Sequence, residues 1–197
     1  MDADGIFKVS TVIQRRLHDA LTAATLPNTV YVGALDDQDA ANADLVLFLF
    51  RIFPCADLRN GEHRVPSTAA NAPVQVIEGA LPLNLNYLLT SPTRGAGAQA
   101  DLQALRVLGR AMQALNDAPE LSGHDVDGET VRITLDPVSN EEMSRIWTLF
   151  PAANYRTSVV YLATPVWIDP AVPAVRAPLV TEGERRFGAR TGGGLPS

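Results

Sequence analysis

The stretch from Leu81 to Leu121 constrains the fold most, because its hydrophobic period changes in mid-course. Leu81, Leu83, Leu85, Tyr87 and Leu89 alternate with residues that include Asn84 and Asn86, the period of two expected of a strand with one dry face. A Gly-rich loop follows. Leu102, Leu105, Leu108, Met112 and Leu115 then recur every three or four residues, with Ala104 and Ala111 beside them, which predicts one stripe of an amphipathic helix. An apolar strand face and an apolar helix stripe each need a cover. The simplest cover is each other, so this pair is expected at the centre of the core.

The flanking segments supply further strands and helices. Residues 4–24 read as a helix, with Ile6, Val9, Ile13, Leu17 and Ala20 in a stripe that Val12 and Leu21 widen, Gln14, Arg15, Arg16 and Asp19 facing water, and Asp4 as its N-cap. Pro27 and Asn28 end it, and Thr29–Gly33 reads as a short strand before an acidic loop with Asp36, Asp37 and Asp39. The continuous apolar run Leu45–Phe53 is expected as a central strand covered on both faces, closed by Pro54. Residues 56–80 read as a loop or irregular hairpin, with Asn60-Gly61 as a turn signal.

Residues 116–128 read as a connector, and Val131–Leu135 as a strand. Ser139 followed three residues later by Glu142 matches a capping box, predicting a helix over Asn140–Phe150 with Met143, Ile146, Trp147 and Phe150 on one side. Pro151 stops it. Tyr155–Ile168 reads as a long strand with an edge or a bulge at Pro165. Strands and helices mixed without strict alternation point to an α+β fold. The expected division is a domain over residues 1–169 and a Pro/Gly-rich extended tail over 170–197.

Composition narrows the function classes. The chain has 197 residues, 46% of them hydrophobic, enough for one good core. Its formal net charge of -6 argues against general nucleic-acid binding, which needs clustered cations. One cysteine, Cys55, permits no internal disulfide and points to a reducing compartment, where a buried inert thiol is its expected state. The Met-Asp-Ala-Asp-Gly start lacks a signal-sequence pattern, and the run Leu45–Phe50 is too short to span a bilayer. A cytoplasmic origin without membrane insertion is expected.

Catalytic patterns are weak. Gly95-Ala96-Gly97-Ala98-Gln99-Ala100 fits the dinucleotide fingerprint G-x-G-x-x-G/A. However, the strand before it is half polar, Ser91–Arg94 intervenes, and Asp136 lies about twice as far on as the usual spacing of roughly 20 residues. His18, His63 and His124 are widely separated, each without a Cys or His neighbour at ligand spacing, and Asp125-Val126-Asp127-Gly128 lacks the third acidic position and closing Glu of a calcium loop, so a solvated turn is expected. No nucleophile elbow or carboxylate pair stands out. Neither catalysis nor a cofactor is expected. The remaining signal is aromatic and arginine side chains: Tyr87, Arg110, Trp147, Tyr155, Arg156, Tyr161 and Trp167. Such types anchor interfaces. Trp147 and Tyr161 are expected in the core, and the interface candidates are Arg94, Arg110, Arg156, Trp167 and Arg176.

Four blocks in order, LPLNLNYLLT, LGRAMQALNDAPELSG, VRITLDPVSNEEMSRIWTLF and NYRTSVVYLATPVWID, resemble the cap, or tail-terminator, family of contractile injection systems. These are phage-tail-like particles such as the Photorhabdus virulence cassettes and the antifeeding prophage. The resemblance covers Ile6 to Asp169 and rests on block order and spacing. It implies a single compact domain, tail-terminator-like, with a central mixed sheet packed by two to three helices. It implies a non-enzymatic hexameric ring, a homo-oligomer at the baseplate-distal end, that ends the inner tube and anchors the last sheath ring. The implied partners are tube and sheath proteins, with no nucleic acid and no membrane. Assembly in the cytoplasm is implied, into a particle released or retained there. Longer members of the family continue beyond this domain, and no function of such extensions is carried over. Two other readings stay open: a nucleotide-binding enzyme using the Gly95–Ala100 loop, and an adaptor of another oligomer. Under the cap reading, Ser91–Ala98 is expected to be a mobile segment that orders against tube or sheath. The tail after Asp169 is expected either to reach a neighbouring subunit or sheath protein or to be disordered.

Overall fold

The strand and helix between Leu81 and Leu121 do form the middle of the protein, in a computed structural model that describes residues 1–59, 61–65, 75–92 and 98–171. In chain order the elements are α1 (Gly5–Ala23), β1 (Val30–Val32), β2 (Leu45–Pro54), β3 (His63–Val65), β4 (Gln75–Ile77), β5 (Leu81–Thr90), α2 (Ala98–Asp117), β6 (Glu120–Ser122), β7 (Thr130–Asp136), α3 (Asn140–Trp147) and β8 (Ser158–Ile168). The six-stranded sheet runs β1-β2-β5-β8-β7-β6, and β3 and β4 form a separate hairpin. Among the described residues only β1 and β2 pair in parallel; every other neighbouring pair is antiparallel. This is the expected mixed sheet with three helices.

One sheet face carries the main core. Leu83, Leu85, Tyr87 and Leu89 of β5 are buried with Val9, Ile13, Leu17 and Leu21 of α1 and Val107, Leu108, Ala111 and Leu115 of α2. The spacing of four in α1 sets its buried side, as expected. Asp4 stands at the N-cap but makes no side-chain cap; Asp2 takes the Asp4 N–H instead, and Lys8 bridges Asp2 and Asp127. Arg16 does not merely face water, since it donates to the carbonyls of Ala118 and Glu120 and ties α1 to β6.

Several expectations need correction. β5 is not half wet: Leu88 and Thr90 on its second face are fully buried, because Ile146, Trp147 and Phe150 close over Leu88 and Val160. α2 is rotated relative to the expected stripe. Leu102 and Leu105 are 59% and 50% exposed. The small residues Ala100 and Ala104 face Pro27, Asp44 and Ser91 instead. β2 is covered on both faces only over Leu45–Leu47 and then surfaces past an irregularity between Leu49 and Arg51.

The expected connector 116–128 contains edge strand β6, with Leu121 fully buried. Asn60-Gly61 does not join the hairpin strands, since it precedes β3. Pro165 marks a bulge and not an edge: β8 lies between β5 and β7, the register slips opposite Leu83 and Leu85, and the Thr164–Pro165 peptide is cis. Cys55 is half-buried, not sealed in the core. The capping box forms as expected, with Ser139 Oγ accepting from Glu142 N–H and the Glu142 carboxylate accepting from Ser139 N–H. The Asp125–Gly128 turn is fastened to α1 by ion pairs of Arg15 with Asp125 and Lys8 with Asp127.

Candidate assembly surfaces

The interface candidates fall into three situations. Arg94 and Arg176 lie outside the described residues, as do most of the Gly-rich loop and the tail beyond Ala171. Arg110 and Trp167 are engaged within the chain. Arg110 joins α2 to α1, its Nε donating to Ala20 O at 3.3 Å and a terminal nitrogen to Gln113 at 2.8 Å. Trp167 is 7% exposed and stacks on His63 with ring centres 4.5 Å apart. Arg156 is partly buried beside a surface depression of ≈ 220 Å³ that Asp101, Leu105 and Tyr155 also line. Tyr87 and Tyr161 are core, and Trp147 is too, as expected for the last two.

Sequence reasoning missed the most polar buried cluster. His63 is 2% exposed, with Nδ1 2.8 Å from Asp169 Oδ1. Its Nε2 faces Glu129 Oε1 at 2.7 Å. The Met1 ammonium lies 3.0 Å from Asp169 and 3.5 Å from Glu129, and Asp169 N–H donates to Met1 O at 2.7 Å. Glu129, a carboxylate removed from water, needs such partners. The cluster fastens four distant segments: the chain start, β3, the approach to β7 and the end of β8. Its members are up to 168 residues apart, and no local pattern announces them.

Burial pushes the Tyr87 hydroxyl up to about 12. Bonds from the Ser139 backbone and hydroxyl hold Glu142 below its usual range, and bonds to Asp127 and Asp2 raise Lys8. The displaced groups are thus occupied in capping, ion pairing and core. Among the described residues no cluster of three or more His, Cys, Asp or Glu is placed to hold a metal, and no helix is long and apolar enough to cross a membrane. β5 enters α2 from a strand flanked on both sides by antiparallel neighbours, whereas the dinucleotide fold uses a parallel sheet.

The outer surface carries exposed apolar residues and short edges. Leu105 and Tyr155, 50% and 65% exposed, share the depression beside Arg156. Leu135, 52% exposed, lines a groove of ≈ 530 Å³ between α2 and β7. Both edge strands, β1 and β6, are three residues long, a form that leaves little unpaired backbone.

Known proteins match this arrangement. The chain is similar to the cryo-EM structure of the anti-feeding prophage cap, described as the AFP tube terminating cap, with 20% identity and a TM-score of 0.56 over 91% of this chain and 60% of that one. It is similar also to the sheath/tube terminator of an extracellular contractile injection system, PVC, in its extended state, with 20% identity and a TM-score of 0.50 over 90% of this chain and 64% of that one. At this identity the likeness establishes the fold, and the chain spans less than two thirds of each of these proteins. No curated protein sequence matches it. The profile of the Pvc16 N-terminal domain matches residues 8–182, running past the expected domain boundary at 169. The chain therefore belongs to the Pvc16 N-terminal domain family.

Proposed function

We propose that this chain is a structural, non-enzymatic terminator of a contractile injection system. It closes the inner tube at the end away from the baseplate and holds the last sheath ring. The observation that carries this reading is the family match over residues 8–182, joined to a fold shared with a tube-terminating cap over 91% of the chain. Tube and sheath proteins are its partners, and a ring of six copies is its working form, assembled in the cytoplasm as part of a phage-tail-like particle. The domain over 1–169 supplies the ring body, and the tail from 170 onward contacts a neighbouring subunit or the sheath. Arg94, Arg156 and Arg176 are its candidate contact cations. Arg110 and Trp167 hold the contact surface in place from within.

Electron microscopy of particles assembled without this protein tests the reading. Tubes of uncontrolled length, or tails that lose their distal sheath, are expected. Normal-length, fully sheathed tails would sink it.

A further inference from the structure

Among the described residues, the second strand in from each edge of the large sheet, β2 on one side and β7 on the other, has a stretch that its short outer neighbour does not cover. β1 pairs with β2 only across Leu45–Leu47, and Gly33 N–H then donates to Leu47 O. β6 pairs with β7 only across Thr130–Arg132, after which Ile133 N–H donates to Pro119 O. Among the described residues, no backbone hydrogen bond joins the outer side of β2 beyond Leu47 or of β7 beyond Ile133.

Strand alternation tells which residues face outward. In an antiparallel ladder one residue turns its N–H and C=O to one neighbour, and the next residue turns to the other. Ile133 faces out, so Leu135 does too. Leu45 donates outward to Thr29 O and Leu47 accepts from outside, so Leu49 faces out. The irregularity between Leu49 and Arg51 shifts the phase by one, and Ile52 faces out next. Leu135 and Ile52 therefore offer donors and acceptors on opposite edges of the sheet. Their side chains lie on the same face, since Leu135 stands opposite Tyr161 and Ile52 opposite Leu85, both members of the main core. Both side chains are exposed, 52% and 46%, and the groove beside Leu135 is walled by Met112, Leu115 and Tyr161.

We propose that the β7 edge of one copy of this chain pairs with the β2 edge of the next copy, setting Ile52 of the second into the groove beside Leu135 of the first. The proposal rests on the ring reading above and names the surfaces that close the ring. Three features support it. First, β2 and β8 run one way and β5 and β7 the other, so a second copy's β2 beside β7 continues the antiparallel alternation. Second, the two edges are unlike, as a head-to-tail ring contact requires. Third, the ladder has a natural stop. Opposite Ile133, whose N–H is spent on Pro119, would stand Pro54, which has no N–H to give. β1 and β6 shield the other halves of their strands, so neighbouring copies are staggered along the strand direction. Strands tilted to the ring axis absorb such a stagger, as in closed barrels.

The test uses the full chain carrying Cys55→Ser, with and without the particle's tube protein. A hydrogen-bonded antiparallel pair places its Cα atoms about 5.5 Å apart, within disulfide reach. Leu135→Cys combined with Ile52→Cys is expected to give a ladder of disulfide-linked multimers under mild oxidation, and neither single variant should. Dimers from Leu135→Cys alone would overturn the proposal in favour of β7 pairing with itself. Rings seen by microscopy without any ladder would overturn the edge assignment and leave the ring reading standing. Protein that stays monomeric in both conditions would sink both. As a second arm, Leu135→Asp and Ile52→Asp change exposed residues, so folding is kept. Each alone should be monomeric, and their mixture should form dimers through the one intact junction. A mixture that stays monomeric, or either variant forming rings, would refute the pairing.

Discussion

The Ser10–Tyr87 contact ties α1 to the central strand, and its hydrogen can be assigned. Ser10 Oγ lies 2.8 Å from Ile6 O and 2.8 Å from the Tyr87 hydroxyl. A serine has one hydrogen, and the Ile6 carbonyl can only accept it. Tyr87 must therefore be the donor to Ser10, and at 1% exposure it has no water to turn to. The two deletions should then be unequal. Ser10→Ala strands a buried O–H, costing about 1–3 kcal/mol, while the better helix propensity of alanine offsets roughly 0.5 kcal/mol. Tyr87→Phe leaves Ser10 bonded to Ile6 and loses only a net hydrogen bond, about 0.5–1.5 kcal/mol. The double variant strands nothing, so it should be less destabilised than the sum of the singles by about 1 kcal/mol. Reversible urea unfolding of the four proteins measures this cycle. Additive singles, or a Tyr87→Phe cost exceeding that of Ser10→Ala, would refute the assignment.

The same tyrosine predicts an alkaline limit. Its hydroxyl ionises near 10 in the unfolded chain and about 12 in the folded one, so its stabilising contribution is full below pH 10 and lost as pH rises through 12. The loss is about 2–3 kcal/mol across that window, and Tyr87→Phe should flatten that part of the unfolding profile; an unchanged slope would count against it. Ser139→Ala should cost about 1 kcal/mol by removing the cap of α3, seen as a lowered denaturation midpoint, whereas no change would mean that packing of Ile146 and Trp147 alone sets the helix. The rotation of α2 predicts a contrast: Leu115→Ala, 1% exposed, should cost about 2–5 kcal/mol and Leu102→Ala, 59% exposed, less than about 0.5 kcal/mol in the free protein. Comparable costs would restore the stripe inferred from spacing.

Local signals decided a good deal. Ser139 and Glu142 are three residues apart and face each other in any helix start, so their reciprocal cap needed no partner from elsewhere. The stripe Val9–Ile13–Leu17–Leu21 and the alternation in Leu83–Leu89 likewise placed α1 and β5, because period alone separates helix from strand. The family was legible as well from the order of four blocks, where single motifs carry little, and the profile over residues 8–182 agrees.

The tertiary structure decided what spacing leaves degenerate. In α2 several rotations bury apolar side chains, and the one adopted packs Val107, Leu108, Ala111 and Leu115 into the main core and turns Leu102 and Leu105 outward. Pro165 is compatible with an edge or a bulge, and only the placement of β8 between β5 and β7 chooses. His63 stands in sequence far from the groups it meets, yet it binds Asp169 and faces Glu129, because the fold brings three distant segments together. Among the described residues the strand order leaves the ends of β2 and β7 without an outer partner strand. A sequence sets periods over a few residues, where geometry is local; which edges and faces remain uncovered is set by contacts across the whole chain, and there the surface available for assembly is decided.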